Sequence, residues 1–346
     1  MPTPFRYVSP VTTERATGQV AGVYAQLAAD FGLARMPLFM TLSPEPGVLA
    51  ATWALLRESL LAGRAPRTGK EVVATGVSLA NRCPFCVDAH TVLLHATGAH
   101  RLAETLARGQ APADPEQARL LAWATATRTP GAPELAAPPF PDGLAPEYIG
   151  TALAFHFINR MASALLTDNL LPGNLQRSRL VRSLSGRTLG RAVRRRLPAG
   201  DSLPLLAGLP TGPAPAWAAG APVGTAFAAL RATATTGGAL LGEPARATVL
   251  STVTGWEGGA HPPLADGRLD RPLAALPAPD RPGARLALLT ALAPYRITDA
   301  DVTGWRGTGR TDAELVRLLA FGALAAVERA ERAITGTPVE AGVPDR

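Results

Sequence analysis

Residues 71–90 read Glu71-Val-Val-Ala-Thr-Gly-Val-Ser-Leu-Ala-Asn-Arg-Cys83-Pro-Phe-Cys86-Val-Asp-Ala-His90. The chain has 346 residues and 2 cysteines, and both cysteines lie in this stretch, three positions apart. A carboxylate, a dithiol and an imidazole therefore share one short segment. No other part of the sequence carries reactive side chains at this density, so we expect the functional site here.

The proline and the residue spacing predict how this segment folds. Pro84 disfavours helical geometry at the preceding residue and suits the first helical position, so Cys83 is predicted to cap a helix that starts at Pro84. The positive end of the helix dipole then favours the thiolate form of both sulfurs. His90 follows Cys86 by four residues on the same face and can exchange a proton with the thiol. Glu71, on the preceding helix, can orient the imidazole.

This arrangement suits reversible disulfide chemistry, in which one thiolate attacks a peroxide or disulfide and the second thiol closes an intramolecular disulfide. Two other interpretations stay open. The cysteines can be inert buried thiols, although their spacing and the nearby His90 argue against this. Zinc is the other alternative, but structural zinc sites favour a second pair of Cys or His ligands, which the sequence lacks. We therefore expect no metal. The four side chains concerned are Glu71, Cys83, Cys86 and His90.

The same residues resemble the alkylhydroperoxidase D-like, carboxymuconolactone decarboxylase superfamily. Its redox-active members carry Glu, eleven residues, Cys-x-x-Cys, three residues and His, and this chain meets that spacing in full. Three further segments support the resemblance, namely 66–71, 81–90 and 156–160. The resemblance is good over residues 17–168 and weak over 216–336. It implies an all-helical fold, no organic cofactor, and thiol-dependent peroxidase or disulfide-reductase activity.

The resemblance also implies roles and partners. Cys86 would be the thiol activated by Glu71 and His90, and Cys83 its disulfide partner. The capping argument instead makes Cys83 the more exposed sulfur, so which sulfur meets the external substrate stays open. The partners would be a peroxide and a dithiol reductant, with a peroxiredoxin as a further candidate. Phe85 stands where the best-known redox member has histidine, so local polarity and donor recognition can differ.

Composition independently favours an all-α fold. Hydrophobic residues make up 47% of the chain, aromatic residues only 5%, and alanine and leucine dominate over β-branched residues. Alanine, leucine and arginine are strong helix formers. Helical patterns cover residues 16–31, 46–62, 68–81, 84–98, 100–109, 114–127 and 145–167.

Internal similarity predicts that the helical unit is duplicated. A shift of 174 residues places Trp53 and Arg57 on Phe227 and Arg231, and a shift of 166 residues places 153–155 on 319–321. The second copy lacks the chemistry, because Glu71, Cys83, Cys86 and His90 correspond to Ala245, Glu257, Ala260 and Leu264. We predict tandem alkylhydroperoxidase D-like helical domains, the second degenerate. The predicted ranges are a redox-active domain over 1–169, an Arg/Pro/Gly-rich connecting segment over 170–215, the degenerate domain over 216–336 and a tail over 337–346.

Charge and hydropathy limit the partners and the cellular location that the sequence predicts. The formal charge is +7, nearly all from arginine, and the composition is typical of a GC-rich genome, so we infer no nucleic-acid binding. The densest cluster, between Arg177 and Arg196, is interpreted as a solvated helix face or linker rather than a patch for an acidic partner. No apolar stretch reaches the ~20 residues of a membrane span, and the N-terminus shows no secretory signal. We expect a cytoplasmic protein without membrane contact, and a homo-oligomer because members of the superfamily assemble through helical faces.

Three functions remain in competition. The favoured hypothesis is a thiol oxidoreductase. The second is a cofactor-free decarboxylase or hydrolase like the lactone decarboxylases of this fold, which lack the paired cysteines. The third is a non-catalytic module whose cysteines sense oxidation. Outside the dithiol segment, His95 and His100 are expected to face solvent or neighbouring helices, Asp88 to match the helix dipole, and His156 with its neighbours to have a structural role.

Overall fold

The protein is all-helical in the computed structural model, which describes residues 3–167, 190, 192–257, 267, 269–307 and 309–336. The described residues form helices joined by turns, and two isolated β-bridges are the only strand-like pairings among them. The all-α prediction is therefore confirmed. The first half contains α1 (Gly18–Phe31), α2 (Pro37–Leu42), α3 (Pro46–Leu56), α4 (Arg67–Ala80), α5 (Pro84–Thr97), α6 (His100–Ala107), α7 (Pro115–Ala126) and α8 (Ala145–Leu165).

The second half repeats the main helices of the first in the same order. It contains α9 (Pro222–Thr235), α10 (Glu243–Thr254), α11 (Asp270–Ala274), α12 (Arg281–Leu292), α13 (Asp299–Arg306) and α14 (Asp312–Thr335). Helices α3 and α9 each begin at a proline and continue into a short turn, and the longest helix of each half, α8 or α14, comes last. Helix α3 packs on α9 and α8 packs on α14, so equivalent helices meet between the halves. This order is what a tandem helical unit requires, while the exact domain boundaries stay a prediction.

The site lies on the helix pair α4 and α5, which pack together and against α8. Helix α4 closes with a Schellman motif, in which the Cys83 N–H donates to the Ser78 carbonyl at 3.0 Å and the Arg82 N–H donates to the Leu79 carbonyl at 3.1 Å. Arg82 occupies the left-handed position of this motif at φ +53°, where glycine is usual. Cys83 then caps α5, which begins at Pro84 as predicted.

The described end of the predicted connecting segment packs on the first half. Glu58 accepts hydrogen bonds from the Gly200 N–H and the Ser202 hydroxyl, each at 2.6 Å. Arg57 donates to the Pro198 carbonyl at 3.0 Å and pairs with Asp30 at 2.8 Å. Because Arg57, Glu58 and Ser202 are buried, this stretch packs on the first half and is not a free linker. Arg177 and Arg191 of the basic cluster, together with Ala260, Leu264 and the tail over 337–346, lie outside the described residues.

No helix among the described residues combines the length and apolarity needed to cross a bilayer.

A close contact between two helices of the second half gives a test of the packing. Gly322 lies on α14 where it crosses α12, and a Cβ there would overlap the Ala287 carbonyl oxygen. Gly322→Ala should therefore destabilise the fold by about 1–3 kcal/mol, since backbone must shift to admit the methyl group. Gly304→Ala on α13 is the matched control, because nothing lies within 4 Å of its Cβ position. Urea unfolding followed by circular dichroism measures both, and equal midpoints would contradict this packing.

Candidate redox site

The structure brings Glu71 and His90 together in the core. Glu71 lies in the middle of α4 and His90 in the middle of α5, with the imidazole Nδ1 2.6 Å from the carboxylate Oε2. Both side chains are buried, and the His90 ring also packs edge-on against Phe155 of α8 at 4.4 Å between centroids. A buried carboxylate retained against an imidazole is a typical arrangement for orienting a proton-transfer group.

Sequence reasoning missed the second partner of this carboxylate. The Arg67 Nε donates to Glu71 Oε1 at 2.7 Å, so each carboxylate oxygen has its own partner. Burial alone would raise the pKa of the Glu71 carboxyl, but the adjoining Arg67 guanidinium and His90 imidazole outweigh it and hold that pKa below its usual value of 4.5. The available signal was the i,i+4 spacing of Arg67 and Glu71 on one helix face.

The ionised carboxylate fixes the tautomer of His90. A carboxylate without a proton only accepts hydrogen bonds, so the imidazole Nδ1 must be the donor. In the neutral ring Nε2 then carries the lone pair, because the hydrogen bond to Glu71 is made by the other ring nitrogen. His90 stands one helical turn after Cys86. Its Nε2 can therefore accept a thiol proton while Nδ1 stays bonded to Glu71.

The two cysteines are joined as a disulfide, with their Cα atoms 5.3 Å apart. The capping argument made Cys83 the more exposed sulfur, but both cysteines are buried, with Cys83 1% exposed and Cys86 3% exposed. Helix α5 and the Schellman turn enclose both sulfurs. The two positions still differ, since a cleft of about 620 Å³ is lined by Cys83 and not by Cys86. An external molecule in this cleft would meet Cys83 first.

The cleft has a mixed polar wall. Arg82 and Arg108 provide positive charge, and Asp88, the fifth residue of α5, lines the same space. Asp88 was expected to match the helix dipole, but the first turn of α5 holds no acidic residue. Val87 and Pro84 supply apolar surface beside the disulfide.

Side chains from α8 support the turn that carries Cys83. The Asn81 side-chain amide donates to the side-chain oxygen Oδ1 of Asn159 at 3.0 Å, and the Asn159 Nδ2 donates to the Ser78 hydroxyl at 3.0 Å. His156 continues this network, with Nδ1 3.2 Å from the Asn81 amide and Nε2 2.8 Å from the Thr127 hydroxyl. All of these groups are buried. The network holds the end of α4 directly before the cysteines.

His156 has the structural role that its sequence context indicated. Burial lowers its pKa well below the usual 6.5, and the nearby cations Arg160, Arg128 and Arg329 lower it further. The ring is therefore neutral. Arg160 donates to the Ala291 carbonyl of α12 at 2.8 Å, so this segment joins the two halves as well as bracing the site.

The remaining histidines pair with each other away from the disulfide. His95 is buried on α5 and contacts α6, where its Nε2 lies 2.8 Å from Glu104, while its Nδ1 lies 2.9 Å from His100. This agrees with the expectation that they face neighbouring helices or solvent. Among the described residues, no three or more His, Cys, Asp or Glu side chains are arranged to hold a metal ion.

In the described part of the second half, the counterpart of Glu71 has no carboxylate. Ala245 of α10 occupies the position that corresponds to Glu71 and is buried. His261, the histidine of this half, lies outside the described residues.

Arg67 gives a prediction of its own. Arg67→Gln removes the charge that most strongly favours ionised Glu71, so the carboxyl should protonate at a higher pH and the relay should fail earlier on acidification. We expect activity near neutral pH to fall by about 10-fold, with the acid limb of the pH–rate profile displaced upward. Arg67→Lys should recover part of the lost activity. Lysine restores the positive charge but lacks the planar guanidinium that fixes the geometry of the hydrogen bond. Superimposable profiles for wild type and Arg67→Gln would contradict this positioning role.

Fold and site together define an all-helical dithiol protein in which a buried Glu–His pair adjoins a Cys-x-x-Cys disulfide. Residues 46–126 match the model of the carboxymuconolactone decarboxylase family. The chain is also 42% identical over 326 residues to a Mycobacterium tuberculosis protein described as an alkyl hydroperoxide reductase, covering 93% of each chain. The chain belongs to this family. No solved structure matches it.

Proposed function

We propose that the chain is a thiol-dependent peroxidase in which Cys83 and Cys86 cycle between dithiol and disulfide, and Glu71 and His90 relay the proton. The observation that carries the proposal is the buried Glu71–His90 pair one helical turn from the disulfide. Membership of the family and similarity to a protein described as an alkyl hydroperoxide reductase support the same chemistry. A buried dithiol without a neighbouring proton acceptor would stay in the thiol form, which is the unreactive one.

The oxidative half begins with the reduced dithiol. His90 accepts the Cys86 proton through Nε2, and the thiolate attacks the terminal oxygen of a hydroperoxide. The O–O bond breaks, Cys86 becomes a sulfenic acid, and the alkoxide leaves as the alcohol after taking the proton back from His90. The Cys83 thiol then attacks the Cys86 sulfur, water leaves, and the disulfide forms. The hydroperoxide is reduced by two electrons and the thiol pair is oxidised by two.

The reductive half uses the cleft. A thiolate of an external dithiol enters beside Pro84 and attacks the Cys83 sulfur, because that sulfur lines the opening. The S–S bond breaks, Cys86 leaves as thiolate at the start of α5, and a mixed disulfide with Cys83 remains. The second thiol of the reductant then releases Cys83 as a thiol. The reductant ends as a disulfide, and both cysteines are restored.

Partners follow from this cycle. It needs a hydroperoxide and a dithiol reductant, and an oxidised peroxiredoxin is a second acceptor for the electrons carried by the reduced pair. A cycling dithiol also needs a reducing compartment, which the cytoplasm supplies. We further propose that the protein assembles as a homo-oligomer through helical faces left free by the fused halves.

The test combines a thiol count with a turnover assay. Titration should give two free thiols after reduction and none after one equivalent of peroxide. Peroxide consumption should then continue in the presence of lipoyl, thioredoxin-type or low-molecular-weight dithiols. Oxidation without turnover by any donor would favour the redox-sensing module instead. Lactone consumption that survives replacement of both cysteines would favour the decarboxylase, and either result contradicts the peroxidase.

A further inference from the structure

A second cleft lies at the opposite end of α4 from the disulfide. It has a volume of about 310 Å³ and is bordered by the start of α4, the end of α5 and residues 193–196. Its wall includes six cationic side chains and no carboxylate among the described residues, and these cations are Arg64, Arg67, Lys70, Arg194, Arg195 and Arg196. Positive charge at this density in one concave site favours an anionic occupant.

Three of these six cations form an ion pair with a carboxylate of a described residue. Lys70 pairs with Glu147 at 2.9 Å, and Arg67 pairs with Glu71 at 2.7 Å. Arg195 pairs with Asp30 at 3.1 Å. The other three cations form no ion pair with a described residue.

Of these three cations, Arg64 hydrogen-bonds to a backbone carbonyl, whereas Arg194 and Arg196 have no such bond to a described residue. Arg64 donates to the Gly143 carbonyl at 3.2 Å. Arg194 and Arg196 make no side-chain hydrogen bond or ion pair with any described residue, although both line the cleft and are solvent-exposed. Arg67 adds an Nη2 group that is buried and has no hydrogen-bond partner in the described structure. Guanidinium donors that line one cleft without acceptors suit a tetrahedral oxyanion, which can accept several hydrogen bonds at once.

We propose that this cleft binds the phosphate group of a small ligand, with Arg194 and Arg196 as its free cations. The volume is at the lower end of the range for small-molecule sites, so it suits inorganic phosphate or a compact phosphate monoester. Thr68 also lines this space, and its hydroxyl can donate to a remaining phosphate oxygen, whereas the Thr97 hydroxyl already donates to the Leu94 carbonyl at 2.8 Å. The proposal does not depend on the peroxidase activity.

Isothermal titration of the full-length protein tests this site. Inorganic phosphate and glycerol 2-phosphate are titrated separately at constant ionic strength, in a buffer without other oxyanions. We expect saturable binding of at least one, and the tighter of the two identifies free phosphate or a monoester as the source. Arg194→Gln combined with Arg196→Gln should weaken binding by about 10-fold or more. Arg67 and Lys70 are kept, because their loss would also disturb Glu71 and Glu147.

The matched control removes the same charge elsewhere. Arg119→Gln combined with Arg271→Gln takes two exposed arginines from α7 and α11, which do not line the cleft. This variant should bind phosphate as tightly as wild type. Equal weakening in both double variants would show a diffuse effect of net charge and overturn the proposal. Absence of saturable binding by wild type for both probes would overturn it as well.

Discussion

Cys86→Ser should lower dithiol-dependent peroxide turnover by about 10³-fold or more. Serine keeps the size of the side chain but is a far weaker nucleophile, and it cannot form the disulfide that completes the cycle. The variant should keep the fold, since the serine side chain is close to cysteine in size and fits the same buried position. Steady-state peroxide loss with a dithiol donor measures the effect, and circular dichroism verifies the fold.

Cys83→Ser tests whether the two sulfurs have different roles in the cycle. If Cys86 attacks the peroxide, this variant should still consume one equivalent of peroxide in a burst and form a sulfenic acid, yet show no turnover. Cys86→Ser should show no such burst. Mass spectrometry of the oxidised variants, trapped with a sulfenic-acid reagent, distinguishes them. A burst in Cys86→Ser and none in Cys83→Ser would reverse the proposed roles.

Glu71→Gln should lower turnover by about 10²-fold to 10⁴-fold, the range typical of a lost proton-transfer system. The amide cannot keep the imidazole in the tautomer that leaves Nε2 free, because its nitrogen can donate to Nδ1 and reverse the hydrogen bond. The variant should also unfold more easily, by about 3–5 kcal/mol, because it leaves Arg67 beside a buried neutral group. Peroxide kinetics and urea unfolding measure the two effects separately.

Glu104→Gln is the matched control for this change. It also removes a carboxylate that contacts a buried histidine, at 2.8 Å from His95, but that pair belongs to α6 and the end of α5. Turnover should stay within about 2-fold of wild type, the scale of a minor perturbation. A loss equal to that of Glu71→Gln would mean that any broken Glu–His contact disables the fold, and the specific relay would have no support.

The Glu71 carboxyl also predicts how stability depends on pH. Its pKa in the folded protein is below the usual value of 4.5, because Arg67 and His90 outweigh the effect of burial. A depressed carboxyl pKa contributes stability that is fully present above about pH 4.5 and is lost as the pH falls through the folded value. Wild type should therefore lose stability on acidification below pH 4.5 more steeply than Glu71→Gln. Parallel curves in urea unfolding from pH 6 to pH 3 would contradict the charged state of Glu71.

Local rules account for most of what the sequence predicted correctly. The helix that starts at Pro84 and the cap at Cys83 follow from the steric effect of one proline. The seven predicted helices of the first half lie within a few residues of their predicted ranges, since alanine- and leucine-rich helical patterns are clear over that length, while the short α2 was not predicted. The spacing of Glu71 and His90 placed both on neighbouring helices, and the structure brings them into contact.

The remainder depends on contacts between distant segments, which spacing alone does not specify. Arg67 lies four residues before Glu71 in the sequence, but its hydrogen bond to that carboxylate depends on the burial of Glu71. The two sulfurs were expected to differ in exposure, whereas packing of α4, α5 and α8 buries both and opens a cleft to only one. The arginines at 194–196 were interpreted as a solvated face, because nothing in the sequence indicated that they approach the start of α4.

The contacts of α3 with α9 and of α8 with α14 have an evolutionary consequence. Two identical subunits are encoded by one sequence, so any substitution appears twice and must suit both copies. Here the partners are covalently linked, they stay together at any dilution, and each can mutate independently. The first half carries both cysteines of the chain, whereas Glu257 and Ala260 stand at the corresponding positions of the second, so each pair of helical units has one dithiol.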